Sequence, residues 1–312
     1  NEIPTTAFKT STQGGYSPVM KLEAKAVTLC RAMGYSEIIT YSFVSPSSFD
    51  AIRIPADSPL RKTVKLVNPL GEDTSIMRTV ILPSMLDILS RNFAFKNKGV
   101  KLYEIGKIYL PVEGQKLPDE PKRMIFGTYG EHENFFTLKG EIDAILDQLN
   151  VHPATYIADT KNPSYHPGRC ARLVRGQQVF AVLGEVHPTV REAFDMPRRA
   201  IVAEINLAQL LEYGKPMGEM KPLPRFPSMS RDLALVMDEE VNVGPLMASM
   251  RKAAGALLES IEMFDVYRGI QVGLGKKSVA FSLPFRAADR TLTDDEVQKA
   301  MDKVQETCAE KY

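Results

Sequence analysis

Residues 214–227 read GKPMGEMKPLPRFP, with two glycines and four prolines in fourteen positions. Proline has no backbone N–H to donate, so neither a helix nor a central strand runs through such a stretch. In a chain of 312 residues this interruption predicts two folding units, residues 1–213 and 217–312. The stretch 214–227 is their linker and overlaps the edge of the second. Each unit is of ordinary domain size, roughly 100–200 residues. With 44% hydrophobic and 25% charged residues, the chain can fill a core in each. It opens on Asn1 rather than methionine, which suggests a piece of a longer polypeptide. No apolar run approaches the roughly 18 residues of a membrane helix, and no signal segment precedes the first unit, so no membrane association is expected. The cysteines Cys30, Cys170 and Cys308 are odd in number and far apart. They suit neither a disulfide framework nor a zinc site, and point to the cytoplasm. A net charge of +1 predicts no strong general attraction to nucleic acid, although it leaves room for a local basic groove.

The second unit reads as strand, helix, strand, strand, helix. Residues 231–237 form an apolar strand. Residues 243–254 carry Leu246, Met250 and Ala253 at helical spacing, and Gly255 stands where a helix ends. Residues 260–267 are β-rich. In 278–285, Val279, Phe281, Leu283 and Phe285 alternate with Ser278, Ala280, Ser282 and Pro284. Thr293 and Glu296 make a capping-box pattern before a helical stripe of Val297, Ala300, Met301, Val304 and Cys308. The intervening GIQVGLGKKS (269–278) imitates a phosphate loop, but its spacing fails. Ile270 stands where the first glycine is required, and Lys276, not glycine, precedes Lys277. It joins strand to strand, so its glycines are read as hairpin residues and its lysines as solvated.

This order predicts a ferredoxin-like βαββα(β) sandwich, whose bare sheet face is a common platform for single-stranded RNA. Phe264 and Val266 are expected on the core side and Asp265 and Tyr267 on the open face. A bulge is expected upstream, because Ile261 and Met263 share the parity of Asp265. Residues 217–312 hold 13 basic and 15 acidic residues. Base stacking and hydrogen bonding are therefore favoured over counterion release.

The first unit alternates helices with strands and hairpins, which predicts an α+β fold around an antiparallel sheet. Val19, Leu22, Ala26, Leu29 and Met33 mark a helix ended by Gly34. A strand is expected over 38–44, a helix over 82–92, and two strands around 101–110. Then come a strand from Met124, a helix from Phe136, a strand pair after the HPGR of 166–169, and IVAEINLAQLL at 201–211. His132, His152, His166 and His187 show no H-x-x-x-H pair, and no G-x-S-x-G elbow occurs. His166 is read as a loop histidine, Glu104 and Glu185 as structural hydrogen-bonding groups, and Lys96, Lys98 and Lys101 as a solvated face. No catalytic or metal-binding residue is assigned.

Several stretches are familiar as strings: NPLGEDTSIMRTVILPSMLDILSRN, YEIGKIYLP, FFTLKGEIDAIL, YHPGR, LGEVHP, FPSMSRDLALVMDEEV, LLESIEMFDVYRG and GKKSVAFSLPFRAADRTLTDDEV. They closely resemble the β subunit of the bacterial phenylalanyl-tRNA synthetases over essentially the whole chain. The resemblance implies a class II aminoacyl-tRNA synthetase-like module without catalytic residues over 1–213. It implies a ferredoxin-like anticodon-binding domain over 217–312, with the family's editing and other N-terminal domains lying outside this chain. It further implies a catalytic α subunit as partner in an α2β2 assembly, phenylalanine tRNA as the RNA, and ATP and Mg2+ in the holoenzyme, with no cofactor in this chain. By the same resemblance Tyr267 stacks on the first anticodon base, Asp265 accepts hydrogen bonds from its edge, and Ser278 is a third contact. Val19, Leu22, Ala26, Leu29 and Met33 would face the α subunit, unless they cover their own sheet. Class II synthetases grip ATP with two arginines, since a guanidinium pairs with phosphate oxygens at any working pH. Leu110 and Pro111 occupy the place of the first, and no arginine occurs between Arg199 and Arg225 to supply the second. The family's small domain closes with a fourth strand after its last helix, whereas this chain stops at Tyr312, so a three-stranded sheet is expected. Two other readings are a protein-interaction module without an RNA role, and a self-sufficient amino-acid-activating enzyme.

Overall fold

The computed structural model describes residues 2, 6, 13–152, 154–196, 199–214, 220 and 222–312. The chain divides into two compact units, Asn1–Glu219 and Met220–Tyr312. Of the expected linker, residues 215–219 and 221 lie outside the described residues. No described helix is long and apolar enough to cross a membrane.

Along the first unit run α1 (Pro18–Ala32), β1 (Ser36–Glu37), β2 (Phe43–Val44), α2 (Ser48–Ala51), β3 (Ile76–Met77), α3 (Leu82–Ala94) and β4 (Val100–Lys107). There follow β5 (Lys122–Tyr129), α4 (Phe135–Gln148), β6 (Thr155–Ala158), β7 (Tyr165–Arg175), β8 (Gln178–Val186), α5 (Pro188–Ala193), β9 (Ile201–Asn206) and α6 (Leu207–Tyr213). Seven strands make one sheet in the order β1-β4-β5-β9-β8-β7-β6, and β2 with β3 forms a separate ribbon. The sheet is mixed rather than antiparallel as expected, because β1 pairs with β4 in parallel. The chain between them, with α2 and α3, is the crossover that a parallel neighbour requires.

Strand alternation gives the sheet two apolar faces. Tyr103, Met124, Phe126, Ala203 and Ile205 face a core covered by α1, α4 and α6. Leu102, Ile125, Tyr129 and Val202 face the core under α3. Gly127 in β5 lets α3 close on the sheet, since a Cβ there would stand 2.5 Å from Met85 Sδ. Helix α1 starts with the Ser17 side chain accepting from the Met20 N–H and Pro18 in its first turn. Helix α4 starts with a capping box between Asn134 and Thr137.

Three local expectations are corrected. Residues 38–44 are not one strand: only Phe43–Val44 pair, and Ile39 and Tyr41 are almost fully exposed. The physical cause is Arg78, which is fully buried and missed by the sequence reading. Its guanidinium donates to Glu104 Oε1 (2.8 Å), to Thr40 Oγ1 (2.7 Å) and to the Lys107 carbonyl (2.9 Å). Thr40 in turn donates to Glu104 Oε2 at 2.7 Å. This buried charge pair holds Thr40 inward, so its alternating neighbours point outward. Residues 101–110 contain one strand, β4, after which Leu110 bridges to Asp119 across a turn. Glu104 is thus structural, and so is Glu185, which accepts from Arg169 at 2.9 Å. His166 lies in β7 rather than in a loop, at a break in the β7–β8 register, and its Nδ1 accepts from the Gly168 N–H.

The second unit contains β10 (Met229–Asp238), α7 (Val243–Ala254), β11 (Glu262–Tyr267), β12 (Lys276–Phe285) and α8 (Asp294–Lys311). Its antiparallel sheet has the order β10-β12-β11. Val279, Phe281, Leu283 and Phe285 are fully buried against Leu246 and Met250 of α7 and Val297 and Val304 of α8. Gly255 ends α7 with φ 72°, a conformation that favours glycine. The GIQVGLGKKS segment is a hairpin connection, with Gly273 and Gly275 at positive φ. One of its lysines is not solvated, contrary to expectation. Lys277 shares the parity of Val279 and is buried, and its amine donates to the Glu239 and Val241 carbonyls at 2.6 and 2.8 Å.

Candidate nucleic-acid interface

Pairing across the hairpin decides which side chains share the open face. Tyr267 pairs with Ser278, Asp265 with Ala280 and Glu262 with Ser282, while Val266 pairs with buried Val279. Asp265, Tyr267 and Ser278 therefore lie together on the face opposite α7 and α8, at neighbouring positions. The register slips between Met263 and Asp265, so the expected bulge is present, and Phe264 is the residue it expels. Phe264 is accordingly exposed rather than in the core, and Met263 pairs with buried Phe281 while remaining 44% exposed itself.

The face continues onto β10, where Ser230, Asp232, Ala234 and Val236 pair with Pro284, Ser282, Ala280 and Ser278. The Ser230 and Ser282 hydroxyls are 3.1 Å apart. Among residues paired in the sheet, this face carries Asp232, Asp238, Glu262 and Asp265 against Lys276 alone. Such a surface repels phosphates and favours bases that bring donors to a carboxylate. Tyr267 is 42% exposed and supplies a ring. Its orientation rests on Gly269, where a Cβ would stand 2.2 Å from Tyr267 Oη. The next cation along the chain, Arg268, is held by Glu239 through bonds of 2.9–3.1 Å. The sequence reading missed the seat that Gly269 gives the Tyr267 ring and the exposure of Val236 on this face. The short Y-x-G spacing was the one available signal for the first.

The five residues of α1 divide. Leu22 and Ala26 are buried in the unit's own core, and Leu29 and Met33 pack against it. Only Val19 is largely exposed. The stripe therefore covers its own sheet, with Val19 left exposed. The exposed apolar row that the sequence reading missed is Ile39, Tyr41 and Phe43, along a groove of about 900 Å3 beside α3.

Comparison with known proteins decides the family. Residues 3–207 match the family described as "Phenylalanyl tRNA synthetase beta chain CLM domain". This chain belongs to the phenylalanyl-tRNA synthetase β-chain family. Residues 224–312 match the ferredoxin-fold anticodon-binding domain, which accounts for the sandwich and its open face. The phenylalanine–tRNA ligase β subunits of Clostridium tetani and Clostridium acetobutylicum are 42% and 40% identical over 309 residues. Each comparison covers 98% of this chain and 39% of the relative, so the chain spans about two fifths of the length of these curated relatives. Among solved structures, pyrrolysyl-tRNA synthetase from Desulfitobacterium hafniense superimposes with a TM-score of 0.52 at 16% identity, covering 62% of this chain and 68% of that one. At that identity the likeness is one of fold.

Proposed function

We propose that this chain is the noncatalytic β-subunit portion of phenylalanine–tRNA ligase, which packs on a catalytic α subunit and reads the tRNA anticodon. Residues 1–213 are on this reading an inactive class II synthetase module, and residues 217–312 the anticodon reader. The holoenzyme, an α2β2 assembly in the cytoplasm, attaches phenylalanine to its tRNA at the expense of ATP. The observation that carries the RNA role is the open face itself: an exposed tyrosine ring, a neighbouring carboxylate and a hydroxyl on an otherwise small and acidic sheet. A base stacks on Tyr267, its donor edge meets Asp265, and Ser278 supplies a further hydrogen bond. Guanine, with N–H donors on its edge, suits the carboxylate best.

The first unit supports the noncatalytic role. Arg78, the buried arginine of this unit, is engaged by Glu104 and so turned away from any nucleotide. On this reading ATP and Mg2+ belong to the α subunit. The partner surface is the exposed row Ile39, Tyr41 and Phe43 rather than the α1 stripe.

The test has two arms. Tyr267→Ala should weaken phenylalanine-tRNA binding by about 1–3 kcal/mol in a fluorescence titration of the assembled enzyme. The chain alone should give no ATP–pyrophosphate exchange. Unchanged tRNA affinity would remove Tyr267 from the interface, and exchange activity would restore the self-sufficient enzyme.

A further inference from the structure

Alternation along β12 puts Lys276 on the same face as Ser278, Ala280 and Ser282. It stands two residues before Ser278, about 7 Å away along the strand. Of the three cations between 268 and 277, two are committed. Arg268 is paired with Glu239 at 2.9 Å, and the buried Lys277 donates its amine to the Glu239 and Val241 carbonyls. Lys276 is exposed. Asp238 stands opposite it on β10, yet among the described residues no hydrogen bond or ion pair holds its amine. Beside it the hairpin forms a hollow of about 600 Å3, with Gly269, Gly273, Gly275 and Lys276 in its lining. Gly269 is the residue whose missing side chain seats the Tyr267 ring, so the hollow links that seat to the uncommitted ammonium. A Cβ at Gly273 or Gly275 would have nothing within 4 Å, so the backbone there is open to a ligand.

We propose that Lys276 binds the phosphate flanking the base that stacks on Tyr267, and so sets the register of the RNA strand on the sheet. The inference rests on the reading of this face as the RNA interface. The sugar of the stacked nucleotide occupies the hollow, and its phosphate oxygens accept from the Lys276 ammonium, whose four-carbon stem spans the interval. Phosphate contacts position a nucleic acid, while base contacts specify it. The other charged residues paired on this face, Asp232, Asp238, Glu262 and Asp265, are all acidic, so a phosphate finds its counter-charge at this corner. That favours the placement in which the base lies over Tyr267 and turns its donor edge to Asp265. The segment whose spacing fails for a nucleoside triphosphate thus serves a single phosphodiester. One ammonium suits one charge, whereas a triphosphate needs the cradle of backbone N–H groups that a true phosphate loop provides.

The test is the salt dependence of phenylalanine-tRNA binding to the assembled enzyme, read by fluorescence titration. Lys276→Met should weaken binding roughly threefold to tenfold at low salt and reduce the slope of log K against log salt by about 0.7, the share of one single-strand phosphate. Lys276→Arg should keep the wild-type slope. Tyr267→Ala should weaken binding with the slope unchanged, because stacking releases no counterion. A tRNA carrying an uncharged methylphosphonate on one side or the other of the first anticodon nucleotide locates the contact. One of these two linkages should cost the wild type about as much as Lys276→Met does, and cost that variant nothing further. An unchanged slope in Lys276→Met, or full additivity with both linkages, would overturn the proposal. If Tyr267→Ala still weakens binding in that case, this inference falls alone. If it does not, the RNA reading of the face falls with it.

Discussion

At the residue scale, Tyr267 and Gly269 act as one device. The ring lies where any side chain at 269 would be, so Gly269→Ala must swing it off the sheet. Its φ of −164° is ordinary extended backbone, so the cost falls on the ring and not on the fold. Gly269→Ala is expected to lower tRNA affinity nearly as far as Tyr267→Ala, about 1–3 kcal/mol, with little change in Tm. Wild-type affinity in that variant would show that the ring's seat is unimportant. Arg78 poses the opposite case, a charge whose role is internal. Arg78→Met strands Glu104 in the core and should destabilise the first unit by about 3–5 kcal/mol in urea denaturation. The double variant Arg78→Met, Glu104→Leu should recover part of the loss. Glu104 was legible from sequence as a structural group; Arg78 was not, because nothing in SIMRTV distinguishes a buried arginine from an exposed one.

At the element scale, the helices follow from local rules and their faces from packing. The T-x-x-E pattern before α8 is realised in full: Glu296 accepts from the Thr293 N–H at 3.0 Å and is also held by Arg290 at 2.6 Å. The Thr293 backbone bond, then Arg290, draws the Glu296 carboxyl below the usual carboxylate range. A carboxyl lowered by folding contributes stability above its unfolded pKa and loses it as pH falls through the lowered folded value. Glu296→Gln should therefore destabilise the second unit near neutrality and converge on wild type in acid, as read by melts across a pH series. A constant difference at every pH would assign the cap's effect to something other than charge. The alternation of 278–285 was legible to the residue, because a half-buried strand has period two. The place of Phe264 was not. A bulge adds one residue and inverts the parity upstream, and only pairing with β12 shows which residue is extruded.

At the scale of the molecule, the first unit combines a closed core with an open flank. Substituting Leu22 with Glu should unfold it, because that side chain is buried. Tyr41→Glu should leave the fold intact and block co-elution with the α subunit in size-exclusion chromatography. Normal co-elution would move the partner surface elsewhere. The sequence by itself determined the division into two units, the helices α1, α3, α4, α7 and α8, the strand–strand nature of the GIQVGLGKKS loop, and the family. Each of these is written in neighbouring residues, through proline's missing N–H, the helical and strand periods, and contiguous strings. Only the tertiary structure decided that β1 joins the sheet in parallel, that α1 spends its stripe on its own core, that Lys277 is buried, and that Arg78 pairs with Glu104 in the core. Those last two side chains meet only in the folded chain, and a contact between segments far apart in the chain leaves no periodic trace in either.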